Sequence, residues 1–85
     1  MTTEQDAPRI IVVDDSEDDF LLIKRQILLA WQGAEVRHAY SEDSLRQTLE
    51  DIEPDLVICD YSMPHLTHDK TIDMVEEMRP DTPTI

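Results

Sequence analysis

Eighty-five residues make at most one small domain, of a size that buries roughly 60–65% of its unfolded surface. Twenty acidic residues against seven basic ones give a formal net charge of −13. That argues against a nucleic-acid or anionic-membrane surface, because both need a basic face. The lone cysteine, Cys59, rules out an internal disulfide and suits a reducing compartment. No apolar run approaches the roughly 20 residues that span a bilayer, and no signal-peptide pattern opens the chain. The expectation is a cytoplasmic protein.

Residues 1–8 are polar, end in Pro8, and read as a disordered lead-in. Residues 9–13 carry the apolar run of a first strand, which stops on Asp14 and Asp15. An acidic loop over 14–19 then leads into a helix over 20–32. Ser16 and Asp19 stand at capping-box spacing, and Asp18 and Asp19 suit the positive end of the helix dipole. Phe20, Ile23, Ile27, Ala30 and Trp31 recur at helical spacing. Leu21, Leu22, Leu28 and Leu29 widen that apolar surface, as burial against a sheet requires, with Trp31 at the edge of the core. Gly33, the only glycine, follows where helices close in a left-handed turn.

Residues 34–40 predict a second strand. Val36, His38 and Tyr40 alternate with Glu35, Arg37 and Ala39, a pattern suited to a sheet edge. His38 reads as structural or solvent-facing. Ser41 caps a polar helix over 42–51, whose narrow apolar side is Leu45 and Leu49, followed by Ile52. The third strand, 54–60, holds the block Leu56-Val57-Ile58-Cys59, the signature of a strand buried on both faces. Cys59 reads as core; its apolar and acidic setting does not favour a thiolate. A loop over 61–69 precedes a third helix over 70–78, with Ile72, Val75 and Met78 as its buried face. Arg79-Pro80 ends it, 81–83 turn, and Thr84-Ile85 begin a fourth strand. Strand and helix alternate throughout, which predicts an α/β parallel sheet with right-handed crossovers.

Two of these strands end on acids, Asp14-Asp15 and Asp60. In open α/β sheets chemistry gathers at the carboxyl ends of the strands. Taken singly, Asp60 could be a turn residue and Asp14-Asp15-Ser16 a helix cap. Taken together on neighbouring parallel strands, the three carboxylates repel one another and call for neutralisation. A hard divalent cation such as Mg²⁺ takes such oxygens and keeps several waters.

The residues Val12-Val13-Asp14-Asp15-Ser16, then Pro54-Asp55-Leu56-Val57-Ile58-Cys59-Asp60, then Met63-Pro64, resemble the receiver (response-regulator, CheY-like) domain of two-component signalling. The likeness runs from about Arg9 to Ile85 and covers roughly two-thirds of a complete receiver, stopping within the fourth strand. It implies a CheY-like (flavodoxin-like) doubly wound parallel sheet, incomplete, with the receiver domain over 9–85. It further implies that Asp60 takes a phosphoryl group from the phosphohistidine of a histidine kinase or histidine phosphotransfer protein. Asp15, Asp60 and the backbone carbonyl of Ser62 would bind Mg²⁺, and Asp14 would hold it through water. Ser62 also stands where the family tunes access of hydrolytic water. Such a chain is a phosphoacceptor and not a turnover enzyme.

Three departures accompany the likeness. His68 stands where the family usually has a glycine. The family's switch Ser/Thr would come about three residues after Ile85, and its essential Lys would end a fifth strand; Lys70 is not read as a substitute. A third strand without a full neighbour exposes an apolar edge, through which two copies could associate. The alternatives are a degenerate receiver that is only an interaction module, and an aspartyl-nucleophile phosphatase. The latter commonly shows Asp-x-Asp after the first strand, whereas here Asp15 is followed by Ser16 and Glu17. His65, His68 and Asp69 offer too few ligands for a transition-metal site and read as an incidental loop cluster.

Overall fold

The computed structural model describes residues 7–60 and 63–85. Six elements follow in order: β1 (Arg9–Val13), α1 (Glu17–Ala30), β2 (Glu35–Ala39), α2 (Glu42–Asp51), β3 (Leu56–Cys59) and α3 (His68–Met78). The strands form one parallel sheet in the order β2-β1-β3. The chain therefore starts in the middle, steps one way to β2, then crosses back to β3. The parallel sheet is as expected from the alternation of elements, and the doubly wound arrangement is the one the resemblance implies.

The pleat of β1 divides the core in two. Ile11 and Val13 point to one side with Val57 and Cys59, where Leu45 and Leu49 of α2 and Met74 and Val75 of α3 cover them. Ile10 and Val12 point to the other, against Phe20 and Ile27 of α1. Met63 and Leu66, from the loop after β3, complete the first layer. Fully burying a side chain such as Ile11, Leu45, Leu49 or Leu66 contributes about 1.5–3 kcal/mol. Arg79 ties the layer together: its Nε and Nη2 donate to the Leu49 carbonyl at 3.1 and 2.8 Å, satisfying an oxygen that the end of α2 leaves without an intrahelical partner.

Several expectations change. Helix α1 begins at Glu17, because Glu17, Asp18 and Asp19 form its first turn and not a loop. The Ser16 side chain accepts from the Asp19 N–H at 3.3 Å, but the Ser16 N–H donates to Asp14 Oδ1 at 2.9 Å, so the reciprocal half of the capping box is not made. The complete box lies on α2, between Ser41 and Ser44. Gly33 has no positive φ; α1 closes through Trp31 in extended geometry. Trp31 is half exposed, and Leu21, Leu22 and Leu29 face solvent, so α1 is not buried all round.

Strand β3 is fully covered on one side only: Val57 and Cys59 are buried, Leu56 and Ile58 half-buried. Its outer edge is not bare, however. Residues 83–85 run alongside it, with Val57 N–H donating to Pro83 O, Ile85 N–H to Val57 O and Cys59 N–H to Ile85 O at 2.8–3.0 Å. That corrects the exposed third-strand edge invoked for self-association. Helix α3 starts at His68, capped by Thr67; Val75 is buried as expected and Met78 packs against the core, but Thr71 and Met74 are the other buried residues and Ile72 is only half-buried. His68 is thus helical, and no described residue has positive φ, so the loop does not need a glycine there. Most of the lead-in lies outside the described residues; Pro8 accepts from the Glu35 N–H at 2.9 Å. No helix among the described residues is long and apolar enough to cross a membrane.

Candidate functional site

The register sets the site. Val13 of β1 pairs with Cys59 of β3, so Asp14 and Asp60, the next residue of each strand, leave the sheet side by side. The Asp60 N–H donates to Val13 O at 2.9 Å, and the Asp14 N–H donates to Ala39 O at 2.9 Å, carrying the ladder one step past the strands on both sides. Asp15 follows directly, ahead of the N-terminus of α1. One carboxylate oxygen from each of Asp14, Asp15 and Asp60 lies within 4.8 Å of the others. This brings together three of the four positions singled out from the sequence. The fourth, Ser62, lies outside the described residues, as does Tyr61.

The three acids differ in setting. Asp14 is buried, Asp60 half-buried and Asp15 exposed. Burial raises the Asp14 pKa above its ordinary value, and the charges of Asp60, Asp19 and Asp15 add to that; the bond from the Ser16 N–H opposes it. Burial likewise pushes the Cys59 thiol up, and the charges of Asp60 and Asp14 add to that. The thiol donates to the Asp60 carbonyl at 3.3 Å, which anchors the backbone of the central acid.

An all-carboxylate donor set, partly open to water, fits a hard divalent cation. Asp14 and Asp60, with Asp19, rim a cleft of about 290 Å³ whose apolar wall includes Val12, Leu22, Ile23 and Ile58. His65, His68 and Asp69 do not form a comparable cluster among the described residues. Lys70 reaches Glu42 at 3.8 Å.

One residue at the site was not legible in the sequence. The His38 ring bonds the Asp14 carbonyl at 2.7 Å. It lies flat on Phe20, with centroids 4.2 Å apart, and edge-on to Tyr40 at 5.3 Å. No local motif signals this. It follows only from the parallel register that sets His38 opposite Val12.

No family model and no curated protein matches the chain in sequence. Solved structures do match in shape. The response regulator PhyR from Brucella abortus superposes with a TM-score of 0.79 at 18% identity, over 93% of this chain and 32% of that one. The receiver domain of a modulated diguanylate cyclase from Desulfovibrio desulfuricans gives 0.71 at 20% identity, over 92% and 62%. RcsB from Salmonella enterica serovar Typhimurium, bound to a promoter in the presence of the phosphomimetic BeF3-, gives 0.74 at 18% identity, over 92% and 40%. The chain thus spans from about a third to somewhat under two-thirds of the structures it resembles. With its β2-β1-β3 parallel sheet and helices on both faces, it has the CheY-like fold of response-regulator receiver domains, with an incomplete sheet.

Proposed function

We propose that this chain is a phosphoacceptor receiver of a cytoplasmic two-component phosphorelay, with Asp60 as the acceptor. The observation that carries the reading is the meeting of Asp14, Asp15 and Asp60 at the carboxyl ends of adjacent parallel strands within a receiver fold. The solution of one structural neighbour, RcsB, with a phosphomimetic agrees with it. A carboxylate oxygen of Asp60 attacks the phosphorus of a phosphohistidine on a histidine kinase or phosphotransfer protein. The new O–P bond gives an aspartyl phosphate, the P–N bond breaks, and the imidazole nitrogen keeps the electron pair.

Asp15, Asp60 and the Ser62 carbonyl would hold Mg²⁺, with Asp14 acting through water. Bound there, the ion supplies positive charge to the transferring phosphoryl oxygens. The chain itself supplies placement. The backbone of Asp14 and Asp60 is pinned to neighbouring strands, and the acceptor opens on a cleft with an apolar wall. The test is an intact mass spectrum after incubation with acetyl phosphate. A phosphoryl adduct that requires Mg²⁺ and disappears in Asp60→Asn supports the reading; its absence from wild type with Mg²⁺ opposes it.

A second reading rests on the solvent-facing Leu21, Leu22 and Leu29 of α1. Exposed apolar residues on one helix suit an interaction module that keeps the fold without phosphorylation. Asp60→Asn separates the two, because a docking function survives that substitution.

A further inference from the structure

His38 touches the acidic site through the backbone and not through a carboxylate. A carbonyl oxygen can only accept, so the 2.7 Å contact with Asp14 O requires a hydrogen on Nε2. The ring cannot easily turn away, since it is stacked on Phe20 with planes 7° apart and met edge-on by Tyr40. The carbonyl it holds belongs to the peptide that joins Asp14 to Asp15. Asp14 is also bound at its N–H by Ala39 O and at its carboxylate by the Ser16 N–H, both at 2.9 Å. His38 supplies the remaining constraint, on the plane from which both acidic side chains depart.

We propose that His38 is a positioning residue for the divalent-cation site, acting through the Asp14–Asp15 peptide. The proposal rests on the metal-binding part of the function proposed above. Groups that orient metal-binding residues typically change affinity by about 10–100-fold when removed. Because His38 works one step further back, the low end applies.

The experiment uses the whole chain, with Mg²⁺ binding measured by titration calorimetry. His38→Phe keeps a ring against Phe20 and loses the donor; His38→Gln loses the ring and keeps an N–H. Circular dichroism verifies the fold of each. His38→Phe should bind Mg²⁺ about tenfold more weakly, and His38→Gln should recover most of that loss. Unchanged affinity in His38→Phe would overturn the proposal and leave the metal site standing. Equal loss in both variants would also overturn it, by showing that packing of the ring and not its donor matters. Wild type that binds no Mg²⁺ would remove the metal site and this proposal together. Nitrogen-15 shifts of the wild-type ring give a check without mutation: Nε2–H is expected, and a neutral ring protonated on Nδ1 would refute the bond.

Discussion

At the scale of single residues, Asp14 is where the fold and the site conflict. Its carboxyl is buried among other acids, so the folded state holds the Asp14 proton more tightly than the unfolded chain does. Stability contributed by this group is therefore greatest while it is protonated. It falls as pH rises from 3.8 through the raised value, the reverse of a salt-bridged carboxylate. Asp14→Asn keeps an oxygen for the Ser16 N–H and removes the charge. In EDTA at neutral pH it should melt higher than wild type. The gap should close in melts run below pH 3.8; equal melting at neutral pH would contradict the account. Cys59 makes a parallel case. Burial and nearby acids raise its thiol pKa, so it should react slowly with a disulfide reagent near pH 8 in the native protein and quickly once unfolded.

Among the elements, strength lies in the α2–α3 layer. Helix α2 carries few apolar residues and depends on its ends. Ser41→Ala removes half of its capping box and should cost about 0.5–2 kcal/mol by urea denaturation. Arg79→Ala strips two charge-assisted bonds from Leu49 O and should cost about 1.5–3 kcal/mol. Arg79→Lys should recover only part, because an ammonium lacks the guanidinium fork. These elements also show what sequence could and could not reveal. The strands were legible because apolar runs ending on acids have few alternative readings. Helix starts were harder: Glu17, Asp18 and Asp19 look like a loop by polarity, and only their caps mark them as helix. On α3, Val75 and Met78 meet the core as expected, but Thr71 is also fully buried, and polarity hides that. The leucines of α1 were expected in the core on hydrophobicity alone, yet several sit on the side away from the sheet.

At the scale of the molecule, topology turns three separate acids into one site. Asp14 and Asp60 lie 46 positions apart in sequence, yet the β2-β1-β3 order makes them neighbours at one sheet edge. This convergence was readable in advance because both strands end alike. The contact from His38 was not, since it needs the exact register of β1 against β2. With a net charge of −13, the chain gains from any cation that binds only its folded form. Millimolar Mg²⁺ should raise the wild-type melting midpoint, and Asp15→Asn or Asp60→Asn should lose most of that rise.

Whether the phosphoryl group goes to Asp60 can be read directly by one measurement. The protein is treated with acetyl phosphate and Mg²⁺, reduced with sodium borohydride, digested and mapped by mass spectrometry. Borohydride converts an aspartyl phosphate to homoserine and spares free carboxylates. Homoserine is expected at Asp60 alone, dependent on both acetyl phosphate and Mg²⁺. Reduction at Asp14, at Asp15 or at no acid of the chain would contradict it.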